Sequence, residues 1–128
     1  MANITILDGN QAGSVVTAPT GATSTTVIDG FTIRNGSGTI NTYGDYCGGG
    51  VFCVSCSPTI SNNKITGNTP ELGGGAIYCE LSSATISNNT IVGNRCVSGG
   101  AVCCIYSSDT VTDNTIVDNG TSGSAAGG

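Results

Sequence analysis

The chain has 128 residues, of which 9% are charged, and a net charge of −5. Its cations are Arg34, Lys64 and Arg95, too few for the basic stripe that nucleic-acid backbones or anionic membranes attract. No apolar run approaches the roughly 18 residues of a membrane span. We therefore expect no nucleic-acid partner and no membrane insertion.

The N-terminus, MANITILDGN, lacks the basic and apolar regions of a signal peptide. The composition is nevertheless rich in Gly, Asn, Ser and Thr, which suits a hydrogen-bonding surface outside the cell. We therefore expect an extracellular or cell-surface protein, with the sequence starting inside a longer exported one.

The first 47 residues contain degenerate strand patterns. Residues 4–10 predict a partial coil, residues 14–17 a strand, and residues 26–35 a strand-corner-strand unit. Residues 36–46 read as one long loop. We expect residues 1–47 to form the first, irregular part of a single domain that ends at residue 119.

A block then recurs three times over residues 48–119, beginning at Gly48, Gly73 and Gly99. Each copy contains three short alternating runs separated by turn residues, which predicts three strands. Between the second and third runs lies a two-residue corner, such as Asn62-Asn63, where Asn tolerates left-handed backbone angles. A fixed period of this length is typical of a solenoid.

The predicted fold is all-β: a right-handed parallel β-helix of four to five coils, with three strands and about 25 residues in each coil. Strands of successive coils would lie about 4.8 Å apart, so equivalent residues would stack in ladders. Alternation points one set of apolar residues into the core: Cys53, Cys79, Cys104, Ile60, Ile86, Val111, Ile65, Ile91 and Ile116. Phe52, Tyr78 and Cys103 are expected to face outward, and residues 120–128 to form a flexible Gly/Ser tail.

The motifs GGGAI (residues 73–77) and GGAV (residues 99–102), each followed by a TISNNTIVGN-type stretch, resemble right-handed parallel β-helix repeat proteins of the pectate-lyase-like kind. They are also similar to polymorphic outer-membrane protein repeats, which pair GGAI with FxxN, although Ile stands here where that family has Phe. The resemblance covers residues 26–119. It implies the fold, which serves lyases, adhesins and passive stalks alike.

Seven cysteines leave at least one thiol outside any disulfide within the chain. The ladder of Cys53, Cys79 and Cys104 has no His beside it to complete a metal site, so we interpret it as a column of small buried apolar residues instead of a metal or redox centre. Parallel side-chain directions disfavour a relaxed disulfide between neighbouring rungs. Cys47 and Cys96 each precede a glycine run, and a bond between them requires the loop at residues 36–46 to bend across one coil.

The acidic residues are scattered over corners and loops, which favours solvated turn carboxylates over a calcium site or a catalytic pair. The outward hydroxyl rows form a regular grid: Thr59, Ser61, Thr85, Ser87, Thr110 and Thr112. Such a grid suits solvent-facing strands, contact with a glycan chain or, as a distant alternative, ice.

We expect no catalytic residues, no cofactor and no metal. The predicted function is a non-enzymatic structural or adhesive module, which self-associates head to tail because neither end carries a capping element. The alternative is a carbohydrate-binding or polysaccharide-lyase-like β-helix fragment.

Overall fold

The computed structural model describes residues 4–121, which form seventeen short strands. In chain order the strands are β1 (Thr5–Asp8), β2 (Val16–Ala18), β3 (Val27–Asp29), β4 (Phe31–Arg34), β5 (Thr39–Ile40), β6 (Tyr46–Cys47), β7 (Val51–Val54), β8 (Thr59–Ser61), β9 (Lys64–Thr66), β10 (Ile77–Glu80), β11 (Thr85–Ser87), β12 (Thr90–Val92), β13 (Arg95–Cys96), β14 (Val102–Ile105), β15 (Thr110–Thr112), β16 (Thr115–Val117) and β17 (Gly120–Thr121). These residues include no helical segment with the length and apolarity needed to span a bilayer.

Three parallel sheets carry the coils. Sheet A has the order β1-β4-β9-β12-β16, sheet B the order β2-β7-β10-β14, and sheet C the order β3-β8-β11-β15. The chain passes from sheet B to sheet C to sheet A in each coil, and equivalent residues lie 25 or 26 positions apart. The predicted parallel β-solenoid is confirmed, including the irregular first coil formed by β2, β3 and β4.

The ladders follow from strict register between coils. Ile60 pairs with Ile86, and Ile65 with Ile91. All four side chains are fully buried, as are Cys53 and Cys79 in sheet B. Full burial of an isoleucine contributes about 1.5–3 kcal/mol, so these ladders supply much of the stability of the fold.

The corners between sheets C and A bend through left-handed residues. Asn62, Asn88 and Asp113 have φ of 55°, 56° and 55°. Asn and Asp adopt this region more readily than other non-glycine residues. The predicted role of the Asn corner is therefore confirmed for the first residue of each pair.

The second corner residue has a different role, which the sequence analysis missed. Asn63 and Asn89 are buried, and each Nδ2 donates both to a carbonyl of the coil above and to Oδ1 of the next asparagine below. A second column runs through Asn68, Asn94 and Asn119 in the same way. Two asparagine ladders thus satisfy the buried main chain at the turns.

The second ladder ends at Gly36, the residue above Asn68. The Gly36 amide donates to Asn68 Oδ1 over 2.9 Å. A Cβ at this position would clash with the carbonyl of Gly49. Only glycine therefore fits at this rung.

A hairpin replaces the predicted loop. Strands β5 and β6 pair antiparallel and cover the outer face of sheet B. Phe52 and Tyr78 do face away from the solenoid interior, but they are buried together with Cys47 under this cover. Their predicted outward direction is correct, and they are shielded from solvent because a hairpin distant in sequence packs on them.

Three residues predicted to lie in the core are not buried, and all three belong to the lowest coil. Cys104, Val111 and Ile116 point into the solenoid interior in register with the buried residues above them, yet all three are exposed. No strand among residues 4–121 lies below β14, β15 and β16. We call this open face the lower end, and the face formed by β1, β2 and β3 the upper end.

The predicted tail begins later than expected, because Gly120–Thr121 forms β17 and pairs with β13. The rest of that predicted tail lies outside the described residues.

Candidate functional site

The hydroxyl grid lies on sheet C in register. Thr59, Thr85 and Thr110 form one row. Ser61, Ser87 and Thr112 form the other. At its upper edge Asp29 interrupts the pattern, since its Oδ1 accepts hydrogen bonds from Ser61 Oγ and Asn62 Nδ2. The grid is thus a polar surface whose two rows run in register along sheet C.

A cleft of about 450 Å³ lies at the turn between sheets B and C. Small side chains line it, among them Thr23, Ser24, Cys56 and Ser83, and none of its lining residues is charged. It offers hydroxyl groups to a ligand but no acid–base pair.

Buried polar groups lie beneath the hairpin on sheet B. Asn41 Oδ1 accepts from the amides of Tyr43 and Asp45, and its Nδ2 donates to the Tyr78 hydroxyl over 3.1 Å. That hydroxyl donates to Glu80 Oε2 over 2.9 Å. Burial and the carboxylate acceptor raise the pKa of Tyr78 well above its usual range. This network fixes the hairpin on the sheet.

Exposed tyrosines surround that network. Tyr106 is 78% exposed and Tyr43 58%, and Tyr46, on strand β6 of the hairpin, is 44% exposed. Desolvation, Tyr106 and the charge of Glu80 raise the pKa of Tyr43, which places the three groups near one another. Tyr106 also has φ of 48°, an unusual backbone region for a large side chain. We call Tyr43, Tyr46 and Tyr106 the tyrosine face.

The disulfide expected as possible between Cys47 and Cys96 is not formed. Cys47 carries a free thiol, because the hairpin folds back over sheet B instead of crossing the coil. Its sulfur accepts a hydrogen bond from Asn41 Nδ2, and burial raises its pKa to about 11. The bonded pair is Cys53 and Cys56, which are three residues apart and lie with their Cα atoms 6.0 Å apart. The spacing Cys53-Val54-Ser55-Cys56 was the sequence signal for this pair.

In the two lowest coils, the thiols of Cys79 and Cys104 lie near the carboxylate of Asp109. Cys79 is fully buried and pairs in register with exposed Cys104. Asp109 Oδ1 accepts from Ser82 Oγ over 2.6 Å and from the Ala84 amide over 2.7 Å. Within residues 4–121, no three His, Cys, Asp or Glu side chains converge in an arrangement suited to a metal ion.

A family model described as "Protein of unknown function (DUF1565)" matches residues 2–127. The chain belongs to the DUF1565 family. No curated protein and no solved structure matches this DUF1565 chain. Family membership agrees with the β-solenoid fold.

Proposed function

We propose that the chain is a non-enzymatic, extracellular structural module that stacks head to tail on copies of itself. The observation that carries the proposal is the lower end. Val111 and Ile116 are 42% and 40% exposed, whereas Ile86 and Ile91, one coil above them, are fully buried. Covering this face with another coil would bury the same kind of apolar area that stabilises the interior.

The strand edges support a helical continuation. Each sheet ends in one open strand at either end of the solenoid: β1 and β16 in sheet A, β2 and β14 in sheet B, and β3 and β15 in sheet C, and within each pair the lengths differ by at most one residue. A copy that continues the sheets would lay its β1 below β16, its β2 below β14 and its β3 below β15. The unpaired main-chain groups on both edges would then form parallel ladders.

Main-chain amides at the lower end also support head-to-tail stacking. In the upper coils the amides of Asn89 and Asn94 donate to Oδ1 of the asparagine below. Asn114 and Asn119 occupy the equivalent lowest rungs, and within the described part of the chain no residue below them accepts from their amides. A copy seated here would supply carbonyl or side-chain oxygen to these groups.

Such a contact is heterologous and leaves a free end on each copy, so it produces open filaments. The charge-poor rows of Ser and Thr on sheet C would then repeat along the filament surface, which suits a role outside the cell.

Val111→Asp tests the stacking. We expect the wild-type chain to form linear multimers whose mass rises with concentration in sedimentation velocity, and Val111→Asp to stay monomeric with an unchanged circular dichroism spectrum. The reason is that a carboxylate facing the next coil would be buried without a partner. Thr112→Asp is the matched control, since the neighbouring side chain faces outward and its charge stays in water.

A wild-type chain that remains monomeric at high micromolar concentration would refute stacking. Multimers of Val111→Asp equal to those of wild type would show that the contact lies elsewhere.

The tyrosine face supports a second candidate, binding of a neutral glycan. Tyrosine offers a rigid apolar ring with a polar tip, which suits contact with a sugar ring. On a glycan array we expect Tyr106→Ala to lose at least tenfold in affinity, and Thr85→Ala, on the hydroxyl grid of sheet C, to bind like wild type. The reverse pattern would assign glycan contact to the grid, and the absence of any hit would reject this candidate.

A further inference from the structure

We propose that Cys104 and Cys79 form a redox-active dithiol at the lower end, which reduces low-molecular-weight disulfides while a new disulfide closes between β14 and β10. The inference does not depend on head-to-tail stacking. It rests on the placement of the two thiols, on the groups around them and on the contrast with the coil above.

The two cysteines differ in solvent exposure and lie on neighbouring strands, directly opposite each other in the register. They pair in parallel register, and neighbouring strands lie about 4.8 Å apart, within the Cα range of disulfides. Cys79 is fully buried, whereas Cys104 is exposed. This arrangement offers one thiol to a solvent-borne disulfide and holds the other directly behind it.

The parallel directions of the side chains oppose closure in the interior of the sheet, but β14 is an outer strand. It pairs with β10, and no strand among residues 4–121 restrains its other side. Strand β14 can therefore shift toward β10 when the bond forms, a movement that β10, held between two strands, cannot make as easily.

The cysteine ladder has a different second partner in each coil. Cys53 is bonded to Cys56 within its own coil. Three residues after Cys79 and Cys104, the positions equivalent to Cys56 are Ser82 and Ser107. The lower two cysteines thus lack a partner in their own coils. Cys79 lies in register between Cys53 and Cys104, and since Cys53 is bonded to Cys56, Cys104 is the neighbour on the ladder that keeps a free thiol.

The pKa values of the two thiols are shifted in opposite directions, downward for the exposed Cys104 and upward for the buried Cys79. A hydrogen bond from Cys79 lowers the pKa of Cys104, because it stabilises the thiolate. The same contact, together with burial, raises the pKa of Cys79. An exposed thiol of lowered pKa in front of a second thiol is the arrangement found at redox-sensing cysteines.

Asp109 adds a second unusual feature. Its Oδ2 atom and the Ser107 hydroxyl are buried without a hydrogen-bond partner of normal geometry. The pKa of Asp109 is lowered, since hydrogen bonds from Ser82 and the Ala84 amide outweigh the effect of burial. Buried groups left unpaired call for an explanation, and one recognised explanation is a redox role. The Asp109 carboxylate also interacts with the Cys104 thiol and by itself raises the pKa of Cys104, an effect that the hydrogen bond from Cys79 outweighs.

The reaction is a two-step exchange with an external disulfide, RSSR. The Cys104 thiolate attacks one sulfur, forms Cys104–S–SR and releases RS⁻. Cys79 then gives up its proton, attacks Cys104 Sγ and expels the second RS⁻. The sum is RSSR plus two thiols giving one Cys79–Cys104 disulfide plus two RSH, so the external disulfide is reduced by two electrons.

The aromatic disulfide DTNB serves as the probe, at protein concentrations low enough for the chain to be monomeric, because a stacked copy would cover Cys104. All proteins carry Cys103→Ser, since Cys103 is half-buried and lies outside the proposed pair. In this background we expect two equivalents of thionitrobenzoate to be released, with none retained on the protein. With Cys79→Ala added we expect one equivalent, and a thionitrobenzoate group retained on Cys104 in the mass spectrum. Circular dichroism verifies that each variant folds.

Peptide mapping provides a second readout on the chain that keeps Cys79. After the remaining thiols are blocked, trypsin cleaves after Lys64 and Arg95 and places Cys79 and Cys104 in different peptides. A linked pair of peptides 65–95 and 96–128, with fragments that locate the bond at Cys79 and Cys104, is the expected product. Retention of thionitrobenzoate on Cys104 while Cys79 is present, or the absence of the linked pair, would overturn the proposal.

Discussion

Ile86→Asp is expected to abolish folding. Ile86 is fully buried and stacks between Ile60 and Val111 in the apolar ladder of sheet C. A carboxylate at this rung would lose its hydration among apolar side chains, at an effective cost of several kcal/mol. A domain of this size is stable by only about 5–15 kcal/mol, and the substitution also removes the buried isoleucine. Circular dichroism should show loss of the β signal.

Two neighbouring changes are matched controls for Ile86→Asp. Val111→Asp alters the next rung of the same ladder, where the side chain reaches water, and should leave the monomer folded. Thr85→Ser alters the adjacent, outward-facing residue and should change stability by no more than about 0.5 kcal/mol. If all three variants lost the same stability, the assignment of inward and outward residues would be wrong.

Asn94→Leu should lower the free energy of unfolding by about 3 kcal/mol or more. Asn94 is fully buried, its Oδ1 accepts from the amide and the Nδ2 of Asn68, and its Nδ2 donates to the carbonyl of Ile65. Leucine has nearly the same size but leaves these groups unpaired, and each unsatisfied buried group costs about 1–3 kcal/mol. Chemical denaturation measures the difference as a lower midpoint with an unchanged slope.

Asn88→Gly is the control for this asparagine ladder. Asn88 is exposed and has φ of 56°, a conformation that glycine adopts without strain. We expect a loss within about 1 kcal/mol. Equal losses for Asn88→Gly and Asn94→Leu would mean that the ladder hydrogen bonds contribute no more than an ordinary corner residue does.

The coil could be predicted from the sequence because its determinants are local and repeated. The Ile60, Ile86 and Val111 positions recur at one spacing, so alternation within a single repeat already indicates which side chains face inward. The buried asparagines were also visible, as Asn63, Asn89 and Asn114 recur at that spacing. They were interpreted as corner residues, because only closure of the coil shows that the second residue of each corner turns inward.

The tyrosine face and the cover over Tyr78 could not be predicted in this way. Both depend on the hairpin of β5 and β6, whose residues lie more than 30 positions from Tyr78 in the chain. The sequence did contain a hairpin signal, since Gly44 and Asp45 lie between Ile40 and Tyr46. Packing between distant residues decides which sheet the hairpin covers. The periodicity within one repeat contains no information about such contacts.

The repeat period by itself determined the solenoid, its three strands per coil and the side of each strand that faces inward, because stacking identical coils leaves one way to bury the isoleucines. The tertiary structure alone decided which rungs are covered. Cys104 and Cys79 occupy the same place in their repeats, yet Cys104 is exposed and Cys79 buried. The physical reason is that burial of a ladder residue depends on the coil below it, and the lowest coil has none among the described residues.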